Sequence, residues 1–525
     1  WVQALYYSHM LKNTTLSFVT ELPLIVSSQV DRELLARFQA GRQLYNACLT
    51  EAMARMNLVK SSDAYNKAKK LKKGKQRTAL FNEARKTYRY SEYELHSFAT
   101  LTAKSSKWIA KKVDSHCIQK IATRAFDASQ KVLLGTAKKV KYKVTTRFRS
   151  LEGKTNKSGI RWKDDQFVWG NLKIKADIDW FNPVIKHGLD SRIKYCRILW
   201  RNLNGKRRWY VQLINEGQPY QKPENYVSEG VVGLDLNVSN IAFVGDNQAG
   251  LLPFAEHVPT YQKEIRRLQR KMERSKRTNN KTNFYPNFEA SKGRKTVIKK
   301  GKSIKGRRKW NNSKAYYQTA AKKRELERRK AAYAKSQNRK IVNEILRHGK
   351  NIKTENVSVK GWQKRYGKAI GAKSPGFVQS ELLRKAENAN GSFQKFSTRK
   401  TALSQTHLDG TRIKKSLSQR VHKDNSGFKM HRDLFSAFLA RHVNDEDNLL
   451  LHSAQQEWKG SESILRSAWQ AFQINRERVS VAESRLCHSS SERFDLKLGM
   501  VNQIAMSSEK LTTPSTVPLS GRQSL

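Results

Sequence analysis

Cysteine and acid are scarce in this 525-residue chain, and long apolar runs are missing altogether. Only Cys48, Cys117, Cys196 and Cys487 occur, none in a C-x-x-C pair, which excludes a disulfide framework and a cysteine zinc site and points to a reducing compartment. No apolar stretch approaches membrane-spanning length and no amphipathic anchor stands out, so a membrane partner is not expected. The chain opens on Trp1, so N-terminal targeting is not read from it. The shortage of acid is the largest signal: 44 Asp+Glu stand against 103 Lys+Arg, a formal charge of +59. A compact chain with that excess repels itself unless a polyanion neutralises it, and phosphate backbones fit best, with strongly salt-dependent binding. A basic disordered tail does not account for the charge, because Lys and Arg run from end to end, interleaved with Trp, Tyr and Phe.

The order of elements follows from periodicity. Leu16, Phe18, Leu22, Leu24 and Val26 alternate as in a strand, and Ser28 with Asp31 starts a helix. Helical spacing continues to about Leu134, broken by the basic run Lys67 to Arg77. The period then changes to short alternating runs around Phe167, Trp169 and Ile178. Asn204-Gly205 marks a hairpin turn between two strands. Residues 218–230 read as a linker. Val231-Val232-Gly233-Leu234-Asp235 follows as a buried strand ending in a carboxylate, with partner strands at 241–244 and 251–254. Two basic helices, 261–274 and 320–346, flank a Lys/Arg/Asn-rich insert, 278–312, expected to be mobile without nucleic acid. Ile352-Lys353-Thr354-Glu355 is a strand with a second carboxylate. A helix at 377–388 and a strand at 393–396 come next. His431 to Ala440 is a helix with Asp433 in its first turn. One or two amphipathic helices bearing Trp458 and Trp469 follow, then a polar tail from Ser489 that reads as disordered.

Asp235, Glu355 and Asp433 are the residue types that phosphodiester hydrolysis needs. An activated water and a charge-neutralised transition state are supplied by two divalent cations about 4 Å apart, held by carboxylates from different elements. Strand end, strand end and helix start, in that chain order, agree with an RNase-H-like site. A single Asp after a buried strand is ordinarily a capping or loop residue; three in such contexts are not.

At these residues the chain resembles a known family. Gly233-Leu234-Asp235-Leu236-Asn237-Val238-Ser239-Asn240-Ile241-Ala242 is similar to the first RuvC motif of TnpB proteins and compact type V CRISPR effectors, G-[IL]-D-[LP]-G-V-x-N-[LI]-A. Glu355-Asn356-Val357-Ser358-Val359-Lys360-Gly361 resembles the second motif. Arg432-Asp433 with Ser436-Ala437 resembles the third, and Ser404-Gln405-Thr406-His407 the S-Q-T-C that opens the family's zinc finger. Tyr45-Asn46 matches the usual start of these proteins. Two departures are visible. Asn237 replaces a Gly, which is tolerated if that backbone need not take φ > 0. The finger's cysteines are gone, with His407, Asp409, His422 and Asp424 in the region, so no structural zinc is expected and a loop contacting nucleic acid is.

The resemblance implies an α/β multidomain fold. A β-barrel-like wedge domain (14–30 and 136–222) carries a helical recognition insertion (31–135). A RuvC-like, RNase-H-like nuclease domain (231–445) follows, with a degenerate finger at 404–428, and then a helical and disordered tail (446–525). It implies an RNA-guided DNA endonuclease, cytoplasmic in a prokaryotic cell, with guide RNA and double-stranded target DNA as partners and two Mg²⁺ or Mn²⁺ ions on Asp235, Glu355 and Asp433. Base pairing would carry sequence choice while the protein reads backbone shape. Arg432 is a phosphate-binding candidate, with a salt bridge to a nearby acid as the alternative. Lys292, Arg294, Lys295, Lys299, Lys300, Arg307 and Arg308 in the insert, and the Lys67 to Arg77 run, are candidate nucleic-acid contacts; nuclear localisation is the weaker reading of both runs. Trp362 and Tyr366 could stack on bases or pack in a core. His431 reads as a packing or surface residue. Two other readings stand beside cleavage: guided DNA binding without cutting, and a transposase on the same fold.

Overall fold

The computed structural model describes residues 15–488 except Tyr226, Ser228, Arg294, Arg307 and Leu417, and the side chains of Lys292, Lys295, Arg476 and residues 478–488 are not described. The polar tail from Ser489 therefore lies outside the described residues. The fold is mixed α/β with several sheets, and the chain divides into two compact units, residues 1–223 with 260–330, and 224–259 with 331–525. No helix among the described residues is long and apolar enough to cross a membrane.

In the first unit, strand Ser17–Pro23 pairs antiparallel with Lys206–Glu216, which pairs with Ile193–Leu203 and so with Ser150–Glu152. Phe18, Thr20 and Leu22 alternate inward, as the sequence pattern requires. The turn between the two long strands puts Asn204 and Gly205 at φ 49 and 78, the mirror-image geometry that those two residues tolerate. Ile160–Lys163, Gln166–Trp169 and Leu172–Lys175 form a separate meander. The barrel-like closure expected from the sequence is not found: among the described residues the four-stranded sheet stays open, because its edge strands, Ser17–Pro23 and Ser150–Glu152, do not pair with one another. Between the first and second strands run the helices, from Ser28–Ser61 to Ser115–Leu133. The first is capped by Ser27, and its Asp31 accepts hydrogen bonds from Trp209 Nε1 and Arg207 Nη1, both at 2.7 Å, tying the helix start to the sheet. The basic run forms a break, 71–74, between helices Asp63–Lys70 and Lys75–Thr87, and Lys67, Lys69, Lys70, Lys72 and Lys75 are exposed.

The insert, 278–312, contains a hairpin, Phe288–Lys292 with Lys295–Lys299. Its base is held by Trp310, edge-on to Phe284 at 5.6 Å with Lys276 Nζ 3.8 Å above the indole. Gly301 is required there, since a Cβ would lie 1.8 Å from the Tyr285 carbonyl oxygen.

The second unit is built on one sheet, whose strands are labelled here β1 (Val231–Leu236), β2 (Asn240–Val244), β3 (Ala249–Pro253), β4 (Asn351–Glu355) and β5 (Phe393–Phe396). The spatial order is β3-β2-β1-β4-β5, with β3, β2 and β1 antiparallel and β1, β4 and β5 parallel. Period-two alternation divides its two faces. Val232, Leu234, Ile241, Phe243 and Ile352 face a core with Val342, Ile345, Val378 and Leu382. Ala242, Val244 and Leu251 face the opposite core, beneath helix α1 (Arg432–Arg441) and helix α2 (Leu451–His488). Asn237, in the β1–β2 turn, is not among the residues with positive φ, so replacement of the usual Gly costs no backbone strain.

His442 caps the C-terminal end of α1 and is 5% exposed. Burial, then the Arg441 and Lys353 charges, push its pKa down to about 4. A depressed histidine contributes stability that is complete above its unfolded pKa near 6.5 and is lost as pH falls toward the folded value. Acidification from pH 7 to 5 is therefore expected to cost about 2 kcal/mol through this residue. Urea midpoints at both pH values, compared with His442→Gln, should show that increment missing from the variant; an unchanged pH dependence would remove His442 as its source.

Candidate nuclease site

The three carboxylates predicted from the sequence come together. Leu234 pairs with Thr354 in the parallel β1–β4 register, so Asp235 and Glu355 follow side by side at the strand ends. Period two puts both on the face that carries Gly233 and Lys353, the face α1 crosses. Asp433, in the first turn of α1, completes the cluster at 1% exposure.

Two contacts fix the helix on this face. A Cβ on Gly233 would lie 2.1 Å from the Ala437 carbonyl oxygen, so only glycine lets the α1 backbone rest on β1. Lys353 Nζ donates to the carbonyls of Arg441 (3.1 Å) and Val443 (2.7 Å), clamping the end of α1 to the strand that carries Glu355. At the other end His431 is the N-cap: its Nδ1 accepts from the Asp433 N–H at 3.3 Å, and its ring packs near Trp469 and Phe472. That is the packing role expected for it.

The electrostatics are those of an unbalanced acidic cluster. Burial, then the Asp433 and Glu355 charges, raise the Asp235 pKa well above the carboxylate range, with Arg432 and Arg420 opposing. Burial pushes Glu355 up to about 7 against a hydrogen bond from the Leu403 N–H. Asp433 Oδ2 is buried with no hydrogen-bond partner. Asp235 lies within charge range of both Asp433 and Glu355, and three carboxylates are residue types that fit hard divalent cations, although among the described residues these three do not bring one oxygen each within 4.8 Å of one another.

Arg432, the phosphate candidate of the sequence, is buried. Its Nε lies 3.4 Å from Asp433 Oδ1 and its Nη1 donates to the Ser416 carbonyl at 3.2 Å, the salt-bridge alternative. Arg420 was not singled out by the sequence. It is exposed, yet its Nη1 lies 3.6 Å from Asp433 Oδ2, and its carbonyl accepts from the Arg432 N–H at 2.8 Å. The only signal for it was proximity to the third motif. Lys299, Lys300 and Arg308 are exposed on the insert; Arg294 and Arg307 lie outside the described residues, as do the Lys292 and Lys295 side chains. Trp362 packs against the core under β1 and β4, whereas Tyr366 is 44% exposed at a non-helical point of helix Val359–Lys373. Of the finger residues, His407, His422 and Asp424 converge and are buried, and Asp409 stays on the surface.

No family model matches the chain, and no curated protein does. Among solved structures it is similar to a chain of a cryo-EM structure of a Cas12f1–sgRNA–target DNA complex, at 10% identity and TM-score 0.38, covering 81% of this chain and 98% of that one. It is also similar to a chain of a CRISPR-Cas12f ternary complex, at 10% identity and TM-score 0.26, covering 81% of this chain and 83% of that one.

Proposed function

We propose that this protein is an RNA-guided DNA endonuclease of the TnpB and compact type V kind, with a RuvC-like site made by Asp235, Glu355 and Asp433. The observation that carries this reading is the placing of the three motif carboxylates, which interact through their charges at Asp235, around a sheet of order β3-β2-β1-β4-β5. That order, with three antiparallel and then parallel strands, supports the RNase-H-like assignment.

Asp235, Glu355 and Asp433 would hold two Mg²⁺ or Mn²⁺ ions, which when bound supply water activation and neutralise charge on the phosphate. The chain's own residues do the rest. Arg432 holds the Asp433 carboxylate from its buried side, while Lys353 and Gly233 hold α1 at a fixed height over β1 and β4. Arg420, exposed and already at the carboxylate, is placed to take a phosphate oxygen of the strand being cut and to orient the phosphodiester. The +59 charge and the exposed Lys299, Lys300 and Arg308 suit the guide RNA and the guide–target duplex, bound by backbone.

Protein purified from its host at low salt should carry protected RNA, and the complex should cut DNA matching that RNA only with Mg²⁺ or Mn²⁺ present. If six to ten phosphates are contacted, affinity for the RNA should fall roughly 10³–10⁵-fold between 50 and 200 mM salt. Absence of RNA on extraction would reject the guided reading. Matched target bound but never cut in either metal would replace it with guided binding alone.

A further inference from the structure

Residues 404–428 hold the segment that resembles the family's zinc finger, and the donor atoms of His407, His422 and Asp424 lie within 4.8 Å of one another. Asp424 Oδ2 is 3.1 Å from His422 Nε2 and 3.3 Å from His407 Nδ1, separations a tetrahedral cation could span. The protons already present decide against it. Lys415 Nζ sits directly on His422 Nδ1. An ammonium offers only protons, so Nδ1 presents its lone pair and the ring's single proton is on Nε2, aimed at Asp424 Oδ2. The Leu408 N–H donates to the same oxygen at 3.0 Å. Asp424 Oδ1 is taken by the Ser426 N–H (3.1 Å) and hydroxyl (2.8 Å), and His407 Nδ1 by the Asn425 N–H (3.3 Å). The His422 lone pair is turned to Lys415, His407 Nδ1 lies 3.3 Å from both the Asn425 N–H and Asp424 Oδ2 while its Nε2 is buried without a hydrogen bond, and no thiolate is present to compete for a metal.

We infer that this segment is a metal-free finger, closed by a buried donor chain from Lys415 through His422 to Asp424 and the Leu408 amide, and that this chain sets Arg420 against Asp433. Burial keeps His422 neutral, its pKa held to about 4 against the pull of Asp424. Transmission to the site is short. The His422 ring stacks on Phe435 of α1 at 4.3 Å, strand Val421–Lys423 pairs with Lys429–His431, and Arg420 immediately precedes that strand. The link to Arg420 as a working residue rests on the nuclease reading; the metal-free closure does not.

The test uses the full chain in magnesium buffer with a zinc-selective chelator. Elemental analysis is expected to find far less than one zinc per chain, and the melting temperature should not respond to the chelator. Lys415→Met strands His422 Nδ1 and should lower the melting temperature by about 2–4 °C, with Lys415→Arg, which keeps a donor, recovering most of it. Cleavage by Lys415→Met should fall about 10–100-fold with target binding unchanged, since a small displacement of Arg420 affects only the chemical step. One tightly held zinc per chain, whose removal lowers the melting temperature, overturns the inference, as does a Lys415→Met protein that melts and cuts like the parent. If that variant fails to fold, metal content and chelator response of the parent still decide. If the parent never cuts DNA, the nuclease reading fails while these two measurements stand.

Discussion

Asp235→Asn, Glu355→Gln and Asp433→Asn are each expected to lower guided DNA cleavage by about three orders of magnitude, on the order of 4 kcal/mol of barrier, while leaving guide and target affinity within about twofold. Asp433 is buried and Asp235 and Glu355 are half-buried, and each asparagine or glutamine keeps the shape while removing charge. Losses should be non-additive: a double variant should cut no more slowly than the worse single one, because the carboxylates act as a unit. Asp235→Asn should also raise the melting temperature in chelator, since it relieves the repulsion and burial that push the Asp235 pKa upward. Strand-resolved gels with gel shifts on the same samples separate cutting from binding. Full activity in any one variant would remove that residue from the site. A variant lower in binding as well as cutting would mark it as structural.

Gly233→Val should fail differently, by unseating the helix instead of the chemistry. Its Cβ would fall 2.1 Å from the Ala437 carbonyl oxygen and 2.8 Å from the Arg441 amide nitrogen, both backbone atoms that no rotamer change can clear. Overpacking against backbone costs about 1–3 kcal/mol or more, and here α1 must lift from β1 and take Asp433 with it. Cleavage is expected to drop at least about 100-fold together with a lowered melting temperature, and extra Mg²⁺ should restore neither. Gly233→Ala carries the same first carbon and should show the same pattern. A Gly233→Val protein with parental stability and activity would mean that α1 does not need this close approach. The contrast with Asp235→Asn is the useful part: one abolishes cutting in a folded protein, the other by disturbing the fold.

Much of this was written locally in the chain. The excess of Lys and Arg, the strand before Asp235, the Asn204-Gly205 turn and the strand at Phe393–Phe396 depend on composition, period or turn chemistry within a few residues, and the structure has the last three where the sequence read them. The supposed barrel was misread for the complementary reason. Whether edge strands meet depends on residues far apart in the chain.

By itself, the sequence determined which carboxylates could work together and that its charge suits a polyanion, since residue type, order and charge are properties of the chain. The tertiary structure decided that Asp235 and Glu355 lie side by side, that Arg432 is buried while Arg420 reaches the site from solvent, and that the His422 ring lies between Lys415 and Asp424. Those are matters of strand register, helix approach and hydrogen-bond direction. They are fixed only when distant segments pack, because a shift of one residue in a strand or one ring nitrogen in a histidine reverses which group faces which.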